Sequence, residues 1–140
     1  MYAIGEVARQ TGLKVPTIRF YEQEGLTAAP PRTESGRRLY ADRDVRRLLF
    51  IRHARTLGFE LADIRSLLDL ADHPERPCAD ADRIATNNLN SVRRRLEQLR
   101  ALEKELTRMI AECDGGAAAD CRIIESLGLG DHQFCAADHT

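Results

Sequence analysis

Cysteine is the residue type whose spacing in this chain most readily suggests chemistry. Cys113 and Cys121 are separated by seven residues, of which two are glycine and three are alanine, so a flexible loop can bring both sulfur atoms to one ion. Thiolates are soft ligands that favour zinc, cadmium, lead, mercury or monovalent copper. The spacing is equally compatible with two unrelated cysteines, and the residues alone leave both interpretations open.

Cys78 stands at the other end of the long segment that leads to Cys113. If that segment is a continuous helix, the two thiols cannot meet within one chain, whereas in an antiparallel dimer Cys78 can reach the partner's Cys113. Asp114, Asp120 and His73 lie beside these cysteines and are candidate fourth ligands. Each of the three is equally well explained as a helix cap or a surface residue.

The C-terminal tail contains a further set of residues with ligand-like spacing, His132, Cys135 and His139. Terminal segments are often disordered, and such a cluster can bind metal adventitiously. We treat it as a candidate second and weaker metal site.

Arginine is concentrated between residues 31 and 56, where eight arginines accompany only three acidic residues. Such a concentration resembles a footprint for the phosphates of a nucleic acid. We single out Arg37 and Arg38, together with Tyr40, because a turn would carry them to the tip of a loop. Some of the others are expected to form only the solvated face of a helix. The eight are Arg32, Arg37, Arg38, Arg43, Arg46, Arg47, Arg52 and Arg55.

Two short helices are predicted to position these side chains at the N-terminal end. Residues 4–10 carry a buried stripe at helical spacing, which residues 11–13 interrupt. A second helix begins at residues 15–17, where proline is tolerated, and stops at Gly25. Two helices joined by a glycine-containing turn form a helix-turn-helix candidate, although the same pattern also occurs as a plain packing unit. Its second helix would present Thr17, Arg19 and Tyr21 to a major groove.

The segments that follow predict a wing and two further helices. Residues 28–40 contain two prolines and a Ser-Gly turn, which indicates a loop or small β-hairpin. Asp42 can cap a third helix that ends at Gly58, and residues 61–70 form a fourth. Two prolines then mark residues 73–78 as a connector and domain boundary.

A long helix is predicted from about residue 80 to residue 112, because this stretch lacks proline and glycine. Its seam residues step by threes and fours, as in a coiled coil. A helix of roughly 30 residues is about 45 Å long and cannot bury its stripe against so small a module, so we expect homodimerisation. The seam comprises Ala85, Leu89, Val92, Leu96, Leu99, Glu103, Leu106 and Ile110.

Composition limits the classes of function. The chain has 140 residues and a net charge of −1, which suits one compact module with an extension. Residues 1–60 carry 11 basic and 7 acidic residues, so their net charge is +4 and a polyanionic partner is expected there. No membrane segment or signal sequence is visible, which predicts a cytoplasmic location without a membrane partner. The sequence shows no nucleophile-base pair, HExxH helix or phosphate-binding glycine loop, so we do not expect an enzyme.

Six short blocks in this order and spacing resemble the mercury-resistance-regulator (MerR) family of bacterial transcription factors, and the resemblance covers residues 1 to about 125. The blocks are IGEVA at 4–8, TG at 11–12, TIRFYE at 17–22, GL at 25–26, RLY at 38–40 and LGF at 57–59. The resemblance implies a mainly α fold, in which a winged helix-turn-helix precedes a long antiparallel coiled-coil helix and a short C-terminal metal-binding loop and helix. The corresponding divisions are 1–72, 79–112 and 113–128, with a tail at 129–140.

The same resemblance implies a function. A homodimer would bind promoter DNA, repress without effector and, once loaded, distort the DNA so that RNA polymerase engages metal-resistance or efflux genes. By similarity, Cys113 and Cys121 are the effector-loop ligands, and Cys78 comes from the opposite protomer. Three thiolates suit a divalent ion, so cadmium, lead or zinc is expected, with mercury as a further candidate. A monovalent-copper regulator and a thiol redox sensor are the alternatives.

Overall fold

Glycine and proline set the boundaries of the first two helices. In the computed structural model, which describes residues 1–112, 115–118 and 121–129, α1 ends where Gly12 adopts a φ of 73°. This left-handed conformation favours glycine, and the Gly12 amide donates to the Ala8 carbonyl oxygen at 2.9 Å. Pro16 lies in the first turn of α2, where its missing N–H has no intrahelical partner to lose.

The described residues form six helices and no β-strand, which confirms the predicted mainly α fold. The N-terminal pair and the two helices after the wing agree with the prediction to within about two residues, the usual uncertainty of helix ends. The helices are α1 Ile4–Thr11, α2 Val15–Gln23, α3 Asp42–Thr56, α4 Leu61–Ala71, α5 Ala79–Ala111 and α6 Arg122–Leu129.

A continuous apolar core joins α1 to α4. One residue or more from each helix is fully buried at its centre, and the spacing of these residues is that of a helical stripe. Removing such side chains from water supplies about 1.5–3 kcal/mol each, so this cluster dominates the stability of the helix-turn-helix. The apolar residues with no exposed area are Val7, Ile18, Leu48, Ile51 and Ile64.

The segment between α2 and α3 forms the wing. Two isolated antiparallel bridges define it, one between Tyr2 and Tyr40 and one between Arg32 and Arg38. The Tyr2 and Tyr40 backbones exchange hydrogen bonds of 2.8 and 2.7 Å, so the end of the wing is fastened to the start of the chain.

Asp42 does not cap α3 in the way the sequence suggested. It is the first residue of the helix, and its carboxylate accepts a hydrogen bond of 2.8 Å from the Tyr2 hydroxyl. The half-buried Ala41 amide donates instead to the Asp44 carboxylate, which accepts its N–H at 2.8 Å. A carboxylate at this third position of the helix is the reaching-back half of a capping box.

The chain divides into two compact units, Met1–Asn88 and Leu89–Thr140, and the division falls inside α5. In the first unit, Ile84 is buried and the Asn88 side-chain amide donates to the Leu57 carbonyl oxygen at 2.9 Å. These two contacts explain why the first ten residues of α5 belong with the helices before them.

The second unit contains the rest of α5 and α6. Met109 is its one buried residue among those described, whereas large apolar side chains along α5 remain exposed. Within the described ranges, no helix combines the length and the apolar character needed to cross a bilayer.

Candidate nucleic-acid interface

Helix α2, the second helix of the helix-turn-helix, turns one side to the core and the other to solvent. Ile18 has no exposed area, while Arg19 is exposed and Thr17 is half-buried. Tyr21 is only 7% exposed, so its ring packs in the core and does not lie on the surface that a groove would meet. Thr17 and Arg19 are therefore the more accessible candidates on α2, and the role of Tyr21 as a DNA contact stays a prediction.

The wing separates its three predicted contact residues. Arg37 is exposed at the turn and Arg38 is half-buried, but Tyr40 is only 1% exposed. The bridge to Tyr2 places Tyr40 at the base of the wing rather than at its tip. Burial and a hydrogen bond to Glu22 raise the pKa of the Tyr40 hydroxyl well above its usual value, so this group stays protonated and acts as a donor. Tyr40 supports the wing in this structure, and its role as a DNA contact stays a prediction.

Between α2, the start of α1 and the wing lies a cleft of about 900 Å³. Its lining includes four arginines from two different elements, and Glu22 is the one carboxylate among its described lining residues. A concave surface with this excess of positive charge attracts a phosphate backbone. The four lining arginines are Arg19, Arg32, Arg37 and Arg38.

Half of the arginines between residues 31 and 56 donate side-chain hydrogen bonds to backbone carbonyl oxygens. Arg52 donates to the Thr11 carbonyl at 2.8 Å, and its guanidinium lies against Gly12 in the turn of the helix-turn-helix. Arg47 donates to the Leu26 carbonyl at 2.9 Å and also pairs with Asp72. Arg55 and Arg32 donate, each at 2.9 Å, to the carbonyls of Phe59 and Gly36.

These contacts correct the idea of a single phosphate footprint. Four of the eight arginines cap carbonyl groups at helix ends and turns, which charge counting cannot reveal. Arg37, Arg43 and Arg46 make no side-chain hydrogen bond or ion pair with any described residue, and the same holds for Arg19 on α2. These four guanidinium groups keep all their donors for an external partner.

Sequence reasoning overlooked two side chains on α2. Glu22 is buried beneath the cleft between Arg38 and Tyr40, and Phe20 is 43% exposed although it is aromatic. Glu22 belongs to the TIRFYE block, but no local pattern indicates that its partners lie 16 and 18 residues further along the chain.

The structure describes two of the four cysteines, Cys78 and Cys121. Cys78 is exposed, and its carbonyl oxygen accepts the Asp82 amide at 3.0 Å in the first turn of α5. Cys121 is half-buried just before α6. The other predicted ligands fall outside the described residues: Cys113, Asp114, Asp120, His132, Cys135 and His139.

No group of three metal-ligating side chains occurs within the described residues. The Nδ1 atom of His73, a candidate fourth ligand, lies 2.8 Å from the Asp69 carbonyl oxygen at the end of α4, which is a helix-capping contact. The exposed Cys78 and the half-buried Cys121 nevertheless carry the soft sulfur donors that a thiophilic metal requires.

A helix-turn-helix beside a wing and an arginine-lined cleft defines a DNA-binding regulator. Residues 2–71 match the profile of the MerR HTH family regulatory proteins, and residues 45–109 match that of the MerR DNA-binding segment. The chain belongs to the MerR family, which confirms the resemblance found in its motifs and the expectation that it is not an enzyme.

Relatives cover nearly the whole chain. The HTH-type transcriptional regulator ZntR of Escherichia coli strain K12 is 40% identical over 93% of this chain and 94% of its own length. The crystal structure of PbrR691 from Ralstonia metallidurans CH34 in complex with lead(II) superposes with a TM-score of 0.79 at 40% identity, covering 91% of this chain and 99% of that one. The mercury(II) complex of the regulator MerR from Bacillus megaterium MB1 gives a TM-score of 0.69 at 31% identity, with 91% and 99% coverage.

Proposed function

We propose that the chain is a metal-responsive transcriptional regulator that binds promoter DNA as a homodimer. On binding divalent cadmium, lead or zinc, it distorts the promoter so that RNA polymerase engages genes of metal resistance or efflux. The observation that carries this proposal is the likeness, at 40% identity over 91% of the chain, to a regulator solved with lead(II). A cytoplasmic location accords with a DNA-binding role.

The cleft of the first unit supports the DNA-binding part of the proposal. Arg19 on α2 and Arg37 on the wing are exposed and keep their donors for phosphate or base edges. The occupied arginines contribute differently, since Arg52 and Arg47 hold the backbone of the helix-turn-helix and of the loop after it. Some arginines of this region are thus available to contact DNA, while others support the fold.

The exposed stripe of α5 supports the homodimer. Five large apolar side chains along this helix are 44–66% exposed in a single chain, which is unusual for a helix that has no partner. They repeat at the spacing of a coiled-coil seam, and a second copy presents the same seam to them. The five are Leu89, Leu96, Leu99, Leu106 and Ile110.

The metal site we propose uses Cys113 and Cys121 of one protomer and Cys78 of the other. A continuous helix of 33 residues is about 50 Å long, and Cys78 immediately precedes it. A site that joins thiols from both ends of such a helix therefore requires two chains. A shared site also explains how metal binding can favour one dimer geometry, because a ligand shifts an equilibrium only by its differential affinity.

Anaerobic metal titration tests the ligand set. We expect the wild-type dimer to bind cadmium, lead and zinc in competition with a chromophoric chelator, and Cys78→Ser to weaken binding of these divalent ions by about a hundredfold. Cys135→Ser is the matched control, because it removes a tail thiol of the proposed second site formed with His132 and His139. Transcription in vitro from a metal-regulated promoter provides the functional reading.

Three outcomes would contradict this proposal. If Cys78→Ser leaves divalent binding intact and copper(I) binds more tightly than the divalent ions, the regulator responds to monovalent copper. If oxidation rather than metal changes transcription, the cysteines act as redox sensors. Binding that Cys135→Ser abolishes would instead locate the effector site in the tail.

A further inference from the structure

A buried carboxylate links the recognition helix α2 to the wing. The Tyr40 hydroxyl donates to Glu22 Oε1 at 2.7 Å, and Arg38 Nη1 lies 3.5 Å from Glu22 Oε2. The Glu22 side chain is 6% exposed and Tyr40 is 1% exposed. We call these three residues the Glu22 cluster. Burying a carboxylate is costly unless its oxygen atoms are compensated, so the cluster constrains where the wing can sit.

The two halves of the cluster differ in strength. The bond from Tyr40 has the length of a strong O–H···O hydrogen bond, whereas 3.5 Å between Arg38 and Glu22 is too long for one. Glu22 Oε2 and Arg38 Nε are both buried without a hydrogen-bond partner among the described residues. Glu22 thus holds Arg38 by charge while leaving guanidinium donors unused.

The position of Arg38 places its unused N–H donors beside the cleft. Arg38 is 36% exposed and lines the same cleft as Arg19 and Arg37. A guanidinium has five N–H donors in one plane, so it can face a carboxylate on one edge and a phosphate on the other. Orienting a long side chain before binding reduces the entropy lost when it meets its partner.

We propose that Glu22 is a positioning residue for DNA binding: its carboxylate holds the wing against α2 through Tyr40 and aims the Arg38 guanidinium at a backbone phosphate in the cleft. This inference rests on the proposed DNA-binding function and adds a residue that acts through another. It predicts that a negatively charged side chain in a DNA-binding surface strengthens the complex. Simple charge counting predicts the opposite, because a carboxylate repels phosphate.

A double-mutant cycle in the full-length protein tests the proposal. The probe is a fluorescent duplex selected from a random pool by the wild-type protein, and affinity is read by anisotropy in one buffer. Glu22→Gln keeps the shape and an acceptor for Tyr40 but removes the charge. We expect it to weaken binding about tenfold when Arg38 is present and less than about twofold in an Arg38→Ala background.

Two further variants serve as controls for the double-mutant cycle. Glu34→Gln removes an exposed carboxylate from the wing turn and should leave affinity equal or slightly higher. Tyr40→Phe removes only the hydroxyl anchor, and it should weaken binding clearly more in the presence of Arg38 than in its absence. If thermal unfolding shows that Glu22→Gln is not folded, Tyr40→Phe takes its place in the double-mutant cycle with Arg38→Ala.

Each outcome decides the question. An equal penalty for Glu22→Gln with and without Arg38 would show a merely structural carboxylate and overturn the proposal, as would unchanged or tighter binding. If the wild-type protein selects no duplex from the pool, the DNA-binding function itself fails, and this result is distinct from a failure of the positioning role alone.

Discussion

The two units of the chain treat their apolar side chains in opposite ways. In Met1–Asn88, residues such as Ile18, Ile51 and Ile64 have no exposed area, whereas Leu99 and Ile110 in the second unit are 61% and 66% exposed. Sequence hydrophobicity does not distinguish these groups, since both repeat at helical spacing. The first unit thus completes its core within one chain, whereas the second leaves its apolar stripe exposed, as the proposed homodimer requires.

The largest effect we expect comes from breaking the exposed stripe. Leu99→Glu would place two unpaired charges in the proposed dimer seam, one from each protomer, so the dimer should dissociate at least about ten-thousandfold more readily. Sedimentation velocity across a concentration series measures this change. Gln98→Glu adds the same charge one residue away, outside the seam, and should remain dimeric. A Leu99→Glu protein that sediments like the wild type would remove the stripe from the interface.

A smaller effect is expected inside the first unit. Ile51→Ala should lower the free energy of unfolding by about 2–5 kcal/mol, because it leaves a cavity in a fully buried position. Its neighbour Phe50 is 37% exposed, so Phe50→Ala should cost clearly less despite deleting a larger side chain. Urea denaturation at fixed protein concentration gives both values. Equal losses would mean that the burial contrast within α3 does not govern stability.

The smallest effect separates two arginines of the same helix. Arg52→Ala should reduce the free energy of unfolding by about 1 kcal/mol, because the Thr11 carbonyl loses a charge-assisted donor. Arg46 has no partner among the described residues, and Arg46→Ala should change stability by less than about 0.5 kcal/mol. The same denaturation experiment measures both, and a reversed order would refute the division into supporting and available arginines.

The helices could be predicted because their signals are local. Gly12, Gly25 and Pro16 mark ends, and apolar residues recur at intervals of three and four. The family motifs then supplied the order of the elements. The exposure of the α5 seam in a single chain also follows from its length, since so long a helix exceeds the module beside it.

The roles of individual side chains in the cleft could not be predicted, because their partners are distant in sequence. Arg52 meets a carbonyl 41 residues earlier, and Arg47 meets one 21 residues earlier. Tyr40 was expected at the tip of a turn with Arg37 and Arg38, but its backbone pairing with Tyr2 places it, buried, at the base of the wing. The metal site remains a prediction, since Cys113 lies outside the described residues.

The capping of carbonyl oxygens by Arg32, Arg47, Arg52 and Arg55 has a consequence for the thermodynamics of promoter association. Each phosphate that a cation neutralises releases condensed counterions and contributes about −0.9 to the slope of log affinity against log salt concentration. A guanidinium held at a backbone carbonyl is fixed in position, so its remaining N–H donors reach a phosphate oxygen only where that carbonyl lies beside the bound DNA. The protein should therefore be less sensitive to ionic strength than its arginine count suggests.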